Sequence, residues 1–169
     1  MIALNSLSRA VAVALTLFCC VGCDQVSKAA ARSFLASGTL HSYLADSFRL
    51  QLTENPGSFL SMGAALPQQV RFWLFTAVVG LLLLALLGAA LFSRRLDRPR
   101  AVALALIAGG GVSNLIDRVW NDGRVTDFLN VGIGAVRTGI FNVADMLILS
   151  GALALLFAHR IWPEAKEPR

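Results

Sequence analysis

Apolar residues in this chain come in blocks separated by short polar stretches. The longest, Phe72 to Ser93, runs for 22 residues without a charge. At a helical rise of about 1.5 Å per residue it crosses a hydrocarbon core of about 30 Å. Ala101 to Ile116 gives 16 uncharged residues between Arg100 and Asp117. Thr138 to Ala158 gives 21 residues with one charge, Asp145, after which His159, Arg160 and Trp162 mark an interface. Ala10 to Cys23, following Arg9, has 14 uncharged residues and is short for a span. It completes a crossing if the helix continues through Val26, Ala29, Ala30 and Ala31. The pattern predicts one integral membrane domain over 1–169, with four transmembrane helices at about 10–30, 70–93, 101–117 and 142–162.

The linking segments 31–69 and 118–141 carry a different pattern. Phe48-Arg49-Leu50-Gln51-Leu52-Thr53 alternates apolar and polar, as a half-buried strand does. Asn55-Pro56-Gly57 follows as a turn. Gly123 to Phe141 is rich in Gly, Val and Ile and suits further strands. A small sheet on the membrane surface is expected.

Composition agrees with the blocks. The chain is 56% hydrophobic and 15% charged, against about 45–50% and about 25% in soluble domains. The net charge of +5 does not imply nucleic acid. Arg94, Arg95, Arg98 and Arg100 sit together between two apolar blocks, without aromatics to stack on bases. That is the positive-inside pattern of a cytoplasmic loop. Arginine and lysine are denser on the side of this loop and the termini, so the termini are expected in the cytoplasm. Segments 31–69 and 118–141 then face the periplasm.

Cys19, Cys20 and Cys23 are odd in number and adjacent, so no disulfide framework follows. Cys20-Val21-Gly22-Cys23 is formally a C-x-x-C, but it lacks the strand–helix context of a redox motif. It also resembles a lipobox. An alternative reading is therefore a lipoprotein cut before Cys23, against which the three later apolar blocks weigh.

An ionisable residue inside a span costs about 2.5–3.5 kcal/mol at a helix centre, so Asp145 needs an explanation. Two readings are open. Asn142-Val143-Ala144-Asp145 fits a capping box at a helix start. Alternatively Asp145 pairs with Asp127, which by itself reads as a loop carboxylate. Two carboxylates in contact share a proton. The ionised one then activates water while the protonated one donates to a carbonyl oxygen, as in aspartic proteases. Asn114, Asp117 and Arg118 lie at i, i+3 and i+4 on one helix end, where a local Asp–Arg pair is the ordinary reading. Asp24 and Lys28 suit an i, i+4 ion pair, and Asn55 suits a turn. Gly109-Gly110-Gly111 suits close helix packing and lacks the lysine of a phosphate loop. A small proton-linked transporter would need its acids near the bilayer midplane, whereas these lie near span ends.

Several segments together resemble the lipoprotein signal peptidase (signal peptidase II) family. Asp24-Gln25-Val26-Ser27-Lys28 resembles its D-Q-x-x-K motif, and Asn55-Pro56-Gly57-Ser58-Phe59 is similar to its N-x-G-x-x-F segment. Gly110-Gly111, Asn114 and Asp117-Arg118 resemble G-G-x-x-x-N-x-x-D-R. Val125-Thr126-Asp127-Phe128 and Phe141-Asn142-Val143-Ala144-Asp145 resemble its V-x-D-F and F-N-x-A-D segments. The resemblance implies a membrane all-α bundle of four transmembrane helices with a small periplasmic β-cradle and a short periplasmic helix. It implies Asp127 and Asp145 as a catalytic pair. Asp24, Lys28, Asn55, Gly57, Asn114, Asp117, Arg118 and Asn142 are then substrate-binding or site-organising residues. The implied enzyme is an aspartyl endopeptidase of the bacterial inner membrane, with its active site at the periplasmic face. Its implied substrates are prolipoproteins carrying diacylglyceryl-cysteine, cut just before that cysteine. Membrane lipids and globomycin-type inhibitors are the other expected partners. No cofactor, metal or nucleic acid is expected, and the protein is expected as a monomer. The chain departs from the pattern at Pro56 and at Ser58, which alone separates Gly57 from Phe59.

Overall fold

The computed structural model describes residues 2–36, 38–57, 65–93 and 96–161. Ser58, Phe59, Arg94, Arg95 and Trp162 lie outside the described residues. The chain runs α1 (Ile2–Phe34), β1 (His41–Tyr43), β2 (Phe48–Asn55), α2 (Gln68–Phe72), a π-helical stretch (Trp73–Val78) and α3 (Val79–Phe92). It continues through α4 (Arg98–Trp120), β3 (Val125–Ile133), β4 (Val136–Arg137), α5 (Val143–Leu156) and α6 (Ala158–Ile161).

Three helices are long and apolar enough to cross a membrane: Ser6–Phe34, Gln68–Phe92 and Arg98–Trp120. The second joins α2, the π-helical stretch and α3 in one rod. Val143–Leu156 is apolar but shorter. The fourth apolar block becomes helix only from Val143, because Phe141 is held in a bridge to Leu129. Between α1 and α2, and between α4 and α5, no separate short helix occurs among the described residues.

Helix α4 is the hub. Of its apolar stretch 61% is buried, against 11% for each of the other two long helices. The three consecutive glycines explain how it packs. Successive helical residues point about 100° apart, so Gly109, Gly110 and Gly111 face three different neighbours. A Cβ on Gly109 would lie 2.6 Å from Cys20 Cβ of α1, and one on Gly110 2.5 Å from Ala144 O of α5. A Cβ on Gly111 would run into Leu83 Cδ2 of α3. The same closeness buries Cys20, and all three cysteines are free thiols. Val13, Ala90, Ala101 and Ala105 continue the small-residue packing toward the other end. There Arg9 donates to Leu91 O at 2.6 Å and Ser93 O at 2.7 Å, satisfying carbonyls at the end of α3. Asp97 caps α4 by accepting from Arg100 N at 2.9 Å.

The four strands form one antiparallel sheet in the order β1-β2-β3-β4. Ala31 and Leu35 at the end of α1 pack with Phe128 and with Leu50, Leu52 and Leu129, which seats the sheet on that helix. β2 alternates as expected, but a bulge between Leu50 and Thr53 breaks its parity. Phe48 and Leu50 pair with Val131 and Leu129, whereas Thr53 and Asn55 pair with Asp127 and Val125. The bulge thus turns Thr53 and Asn55 onto the face that carries Asp127.

Candidate active site

Four elements deliver polar side chains to one place, all buried except the half-buried Asp145. Helix α5 begins there. Asn142 Oδ1 accepts from Asp145 N at 3.0 Å, and Asp145 Oδ2 accepts from Asn142 N at 3.2 Å. This reciprocal capping box fixes Asp145 in the first turn. β3 brings Asp127, whose carboxylate accepts from Asn142 Nδ2 at 2.7 Å and Asn55 Nδ2 at 2.8 Å. Asn55 ends β2, and its own Oδ1 accepts from Gly57 N at 2.9 Å, closing the turn read at Asn55-Pro56-Gly57. From α4, Asn114 Nδ2 donates to Asp145 Oδ1 at 3.1 Å. Asn142 therefore hydrogen-bonds to both acids.

Asp127 and Asp145 line one cavity of about 340 Å³ together with Asn55, Asn114 and Arg118. The rest of its lining is apolar: Val79 of α3, Gly111 of α4, Val125 of β3, and Ile148, Leu149 and Ala152 of α5. Burial is the main cause that pushes the Asp127 carboxyl up to about 7. The Asp145 charge adds to this, while hydrogen bonds from Asn55 and Asn142 and the Lys28 charge oppose it.

A second layer holds these groups. Lys28 is fully buried, and its Nζ reaches Asp24 Oδ2 at 2.7 Å, Asn114 Oδ1 at 2.8 Å and Asp117 Oδ2 at 3.1 Å. Each ammonium N–H thus has an acceptor. Asp24 also accepts from Ser113 Oγ at 2.7 Å and from Ala144 N at 2.8 Å. It ties α1 to α4 and to the first turn of α5, where an anion is favoured. Asp117 accepts from Thr126 N at 2.9 Å and Gln25 Nε2 at 3.0 Å, joining the sheet to α4.

The local Asp117–Arg118 pair does not form. The two point apart, as adjacent helical residues must. Asp117 turns toward α1, where Lys28 and, at 3.8 Å, Arg32 meet it. Arg118 turns toward the Asn55–Gly57 turn and donates to Gly57 O at 3.0 Å, its guanidinium 5.8 Å from the Phe75 ring centre.

All the residues singled out in the sequence enter this network: Asp24, Lys28, Asn55, Gly57, Asn114, Asp117, Arg118, Asp127, Asn142 and Asp145. Ser113, Gln25 and Thr126 join it without having been given a role. For Ser113 the signal was present: a lone hydroxyl in an Ala/Gly-rich stretch, one turn before Asp117.

The model of the family described as signal peptidase (SPase) II matches residues 16–161. The chain belongs to the signal peptidase II family. It is 37% identical over 150 residues to the lipoprotein signal peptidase of Paraburkholderia phymatum, covering 87% of this chain and 83% of that one. It is 33% identical over 136 residues to the lipoprotein signal peptidase of Treponema denticola, covering 78% and 79%. The fold matches a bacterial membrane enzyme solved by the in meso method at 2.3 Å resolution, with a TM-score of 0.75 and 22% identity, over 93% of each chain. A second such structure, at 1.9 Å resolution, gives a TM-score of 0.71 and 22% identity over 90% of this chain and 94% of that one. As a signal peptidase II, the chain is a peptidase with apolar membrane helices. Where it departs from the signal peptidase II pattern, Pro56 lies in the turn and Gly57 is buried, its carbonyl accepting from Arg118.

Proposed function

We propose that this signal peptidase II removes signal peptides from diacylglyceryl-modified prolipoproteins, cutting just before the lipidated cysteine with a water activated between Asp127 and Asp145. One observation carries the reading: Asn142 hydrogen-bonds to both acids at the polar end of an apolar cavity. Asp127 holds its proton up to about 7 and donates it to the scissile carbonyl oxygen. Asp145, its oxygens met by Asn114 and by the backbone of Asn142, takes the proton of the attacking water. Attack gives a tetrahedral intermediate, which collapses as Asp145 passes the proton it took from water to the amide nitrogen, the C–N bond breaks and the amine leaves, while the hydroxyl returns its proton to Asp127.

The apolar walls between α3 and α5 suit a signal helix and acyl chains that stay in the bilayer. The reading extends to four crossings in one domain, with α5 and α6 completing the fourth. The termini face the cytoplasm, and the sheet and both acids face the periplasm of the inner membrane.

The test is a processing assay on a diacylated precursor in lipid. Asp127→Asn and Asp145→Asn are each expected to leave the precursor uncut while the protein inserts and accumulates. Normal processing by either variant rules out the pair.

A further inference from the structure

Arg118 lines two hollows. One is the cavity that holds the acids. The other, of about 200 Å³, lies where α4 ends and α2 begins. Gln68, Arg71 and Phe72 line it together with Arg118, Asp122 and Gly123. It is smaller than the about 300 Å³ at which small-molecule pockets begin, a size for a side chain rather than for a cofactor. Two arginines, a glutamine and an aspartate make it polar where the first cavity is largely apolar.

The backbone shapes this second hollow. Gly123 N donates to Arg118 O at 2.8 Å and closes α4, with Asp122 and Gly123 both left-handed at φ of 51° and 83°. A Cβ on Gly123 would meet nothing within 4 Å, so the space beside it is open. Arg118 is 8% exposed and incompletely bonded. Its Nη1 donates to Asn114 O at 3.3 Å and its Nη2 to Gly57 O at 3.0 Å, but its buried Nε has no acceptor among the described residues. Buried donors are rarely left unmet, and a peptide carbonyl passing from one hollow to the other would meet this one.

We propose that the second hollow receives the residues that follow the lipidated cysteine, and that Arg71 makes it favour acidic side chains there. The inference rests on the proposed cleavage. In that reading the signal helix and acyl chains take the apolar walls of the first cavity, while the chain beyond the cut is water-soluble and must leave the membrane. The second hollow offers a polar way out beside Arg118, where two long apolar helices have their ends at Gln68 and Trp120. An extended chain advances about 3.3–3.6 Å per residue, so the first residues after the cut carry it past Arg118. Arg71 and Arg118 outnumber Asp122 in the lining, and a guanidinium stays protonated at any working pH. Arg71 Nη1 donates to Leu66 O at 3.1 Å, which anchors the group. An acidic side chain meets the excess positive charge, and a lysine is repelled by it.

Peptide binding tests this without cleavage. Fluorescent lipopeptides with a diacylglyceryl-cysteine followed by Asp-Asp, Asn-Asn or Lys-Lys are titrated against the full-length Asp127→Asn variant in nanodiscs of zwitterionic lipid, with anisotropy as the readout. The Asp-Asp peptide is expected to bind about 5- to 10-fold more tightly than the Lys-Lys peptide, the size of a surface ion pair set against a similar repulsion. Adding Arg71→Glu is expected to reverse that order, and Arg71→Gln to flatten it. Adding Arg124→Glu, the same charge change at an exposed residue that does not line the hollow, is expected to preserve it. Equal affinity for the three peptides overturns the inference and leaves the peptidase reading standing. So does an order that ignores both Arg71 variants or responds equally to Arg124→Glu. No binding of any of the peptides overturns both.

Discussion

Replacing Asp127 by Asn trades activity for stability, and the trade depends on pH. Burial holds the Asp127 proton up to about 7, against an ordinary value of 3.8. Within that window the folded chain binds a proton that the unfolded chain has released. The value is raised on folding, so Asp127 costs nothing below 3.8, and stability is lost as pH rises to about 7, then levels off. At about 1.36 kcal/mol per unit the whole window is worth about 4 kcal/mol. Between about pH 5 and about pH 8 the loss is about 2–3 kcal/mol. Asparagine cannot ionise and escapes it. Its amide offers one acceptor oxygen to the two donors Asn55 and Asn142, which costs about 1–3 kcal/mol at every pH. The variant is thus expected to match the wild type near about pH 5 and to exceed it by about 1–3 kcal/mol near about pH 8, with no peptidase activity at either. Unfolding free energies in bicelles at the two pH values measure this directly. A difference between wild type and variant that stays constant with pH would refute the burial argument.

Lys28→Met leaves Asp24 and Asp117 buried without their shared cation and is expected to destabilise by about 3–5 kcal/mol. Adding Asp117→Asn should restore about 1 kcal/mol or more, and strict additivity in that double-mutant cycle would count against a coupled cluster. Gly110→Ala drives a Cβ against Ala144 O, one residue before Asp145. The shift of α5 is expected to lower cleavage by about 100-fold. Gly88→Ala, which meets nothing within 4 Å, should leave cleavage unchanged. Equal rates for the two variants would show that the α4–α5 contact does not position Asp145.

Much of the site could be read from the chain because it depends on short-range geometry. The Asn142–Asp145 box and the Asp24–Lys28 pair each join residues one helical turn apart, so their spacing is their contact. The apolar blocks likewise declare the long helices, since transfer into lipid acts on each side chain in turn. The turn at Asn55 follows from a side chain that bonds its own backbone two residues on.

Partner choice among distant groups followed other rules. Asp117 met Lys28 of α1 instead of its neighbour Arg118, because burial between helices leaves a carboxylate no water and only the facing cation. A bulge in β2, invisible in the alternation of Phe48 to Thr53, turned Asn55 to the side of Asp127. Three adjacent glycines served three different helices, a division set by the bundle around α4. Sequence alone marked the long helices, the strand from Phe48 and the turn at Asn55, and singled out the polar residues that the fold gathers at one end of the bundle. Packing in three dimensions decided which of those residues touch, since dehydrated charges and close backbones accept only the partners that the neighbouring elements bring within reach.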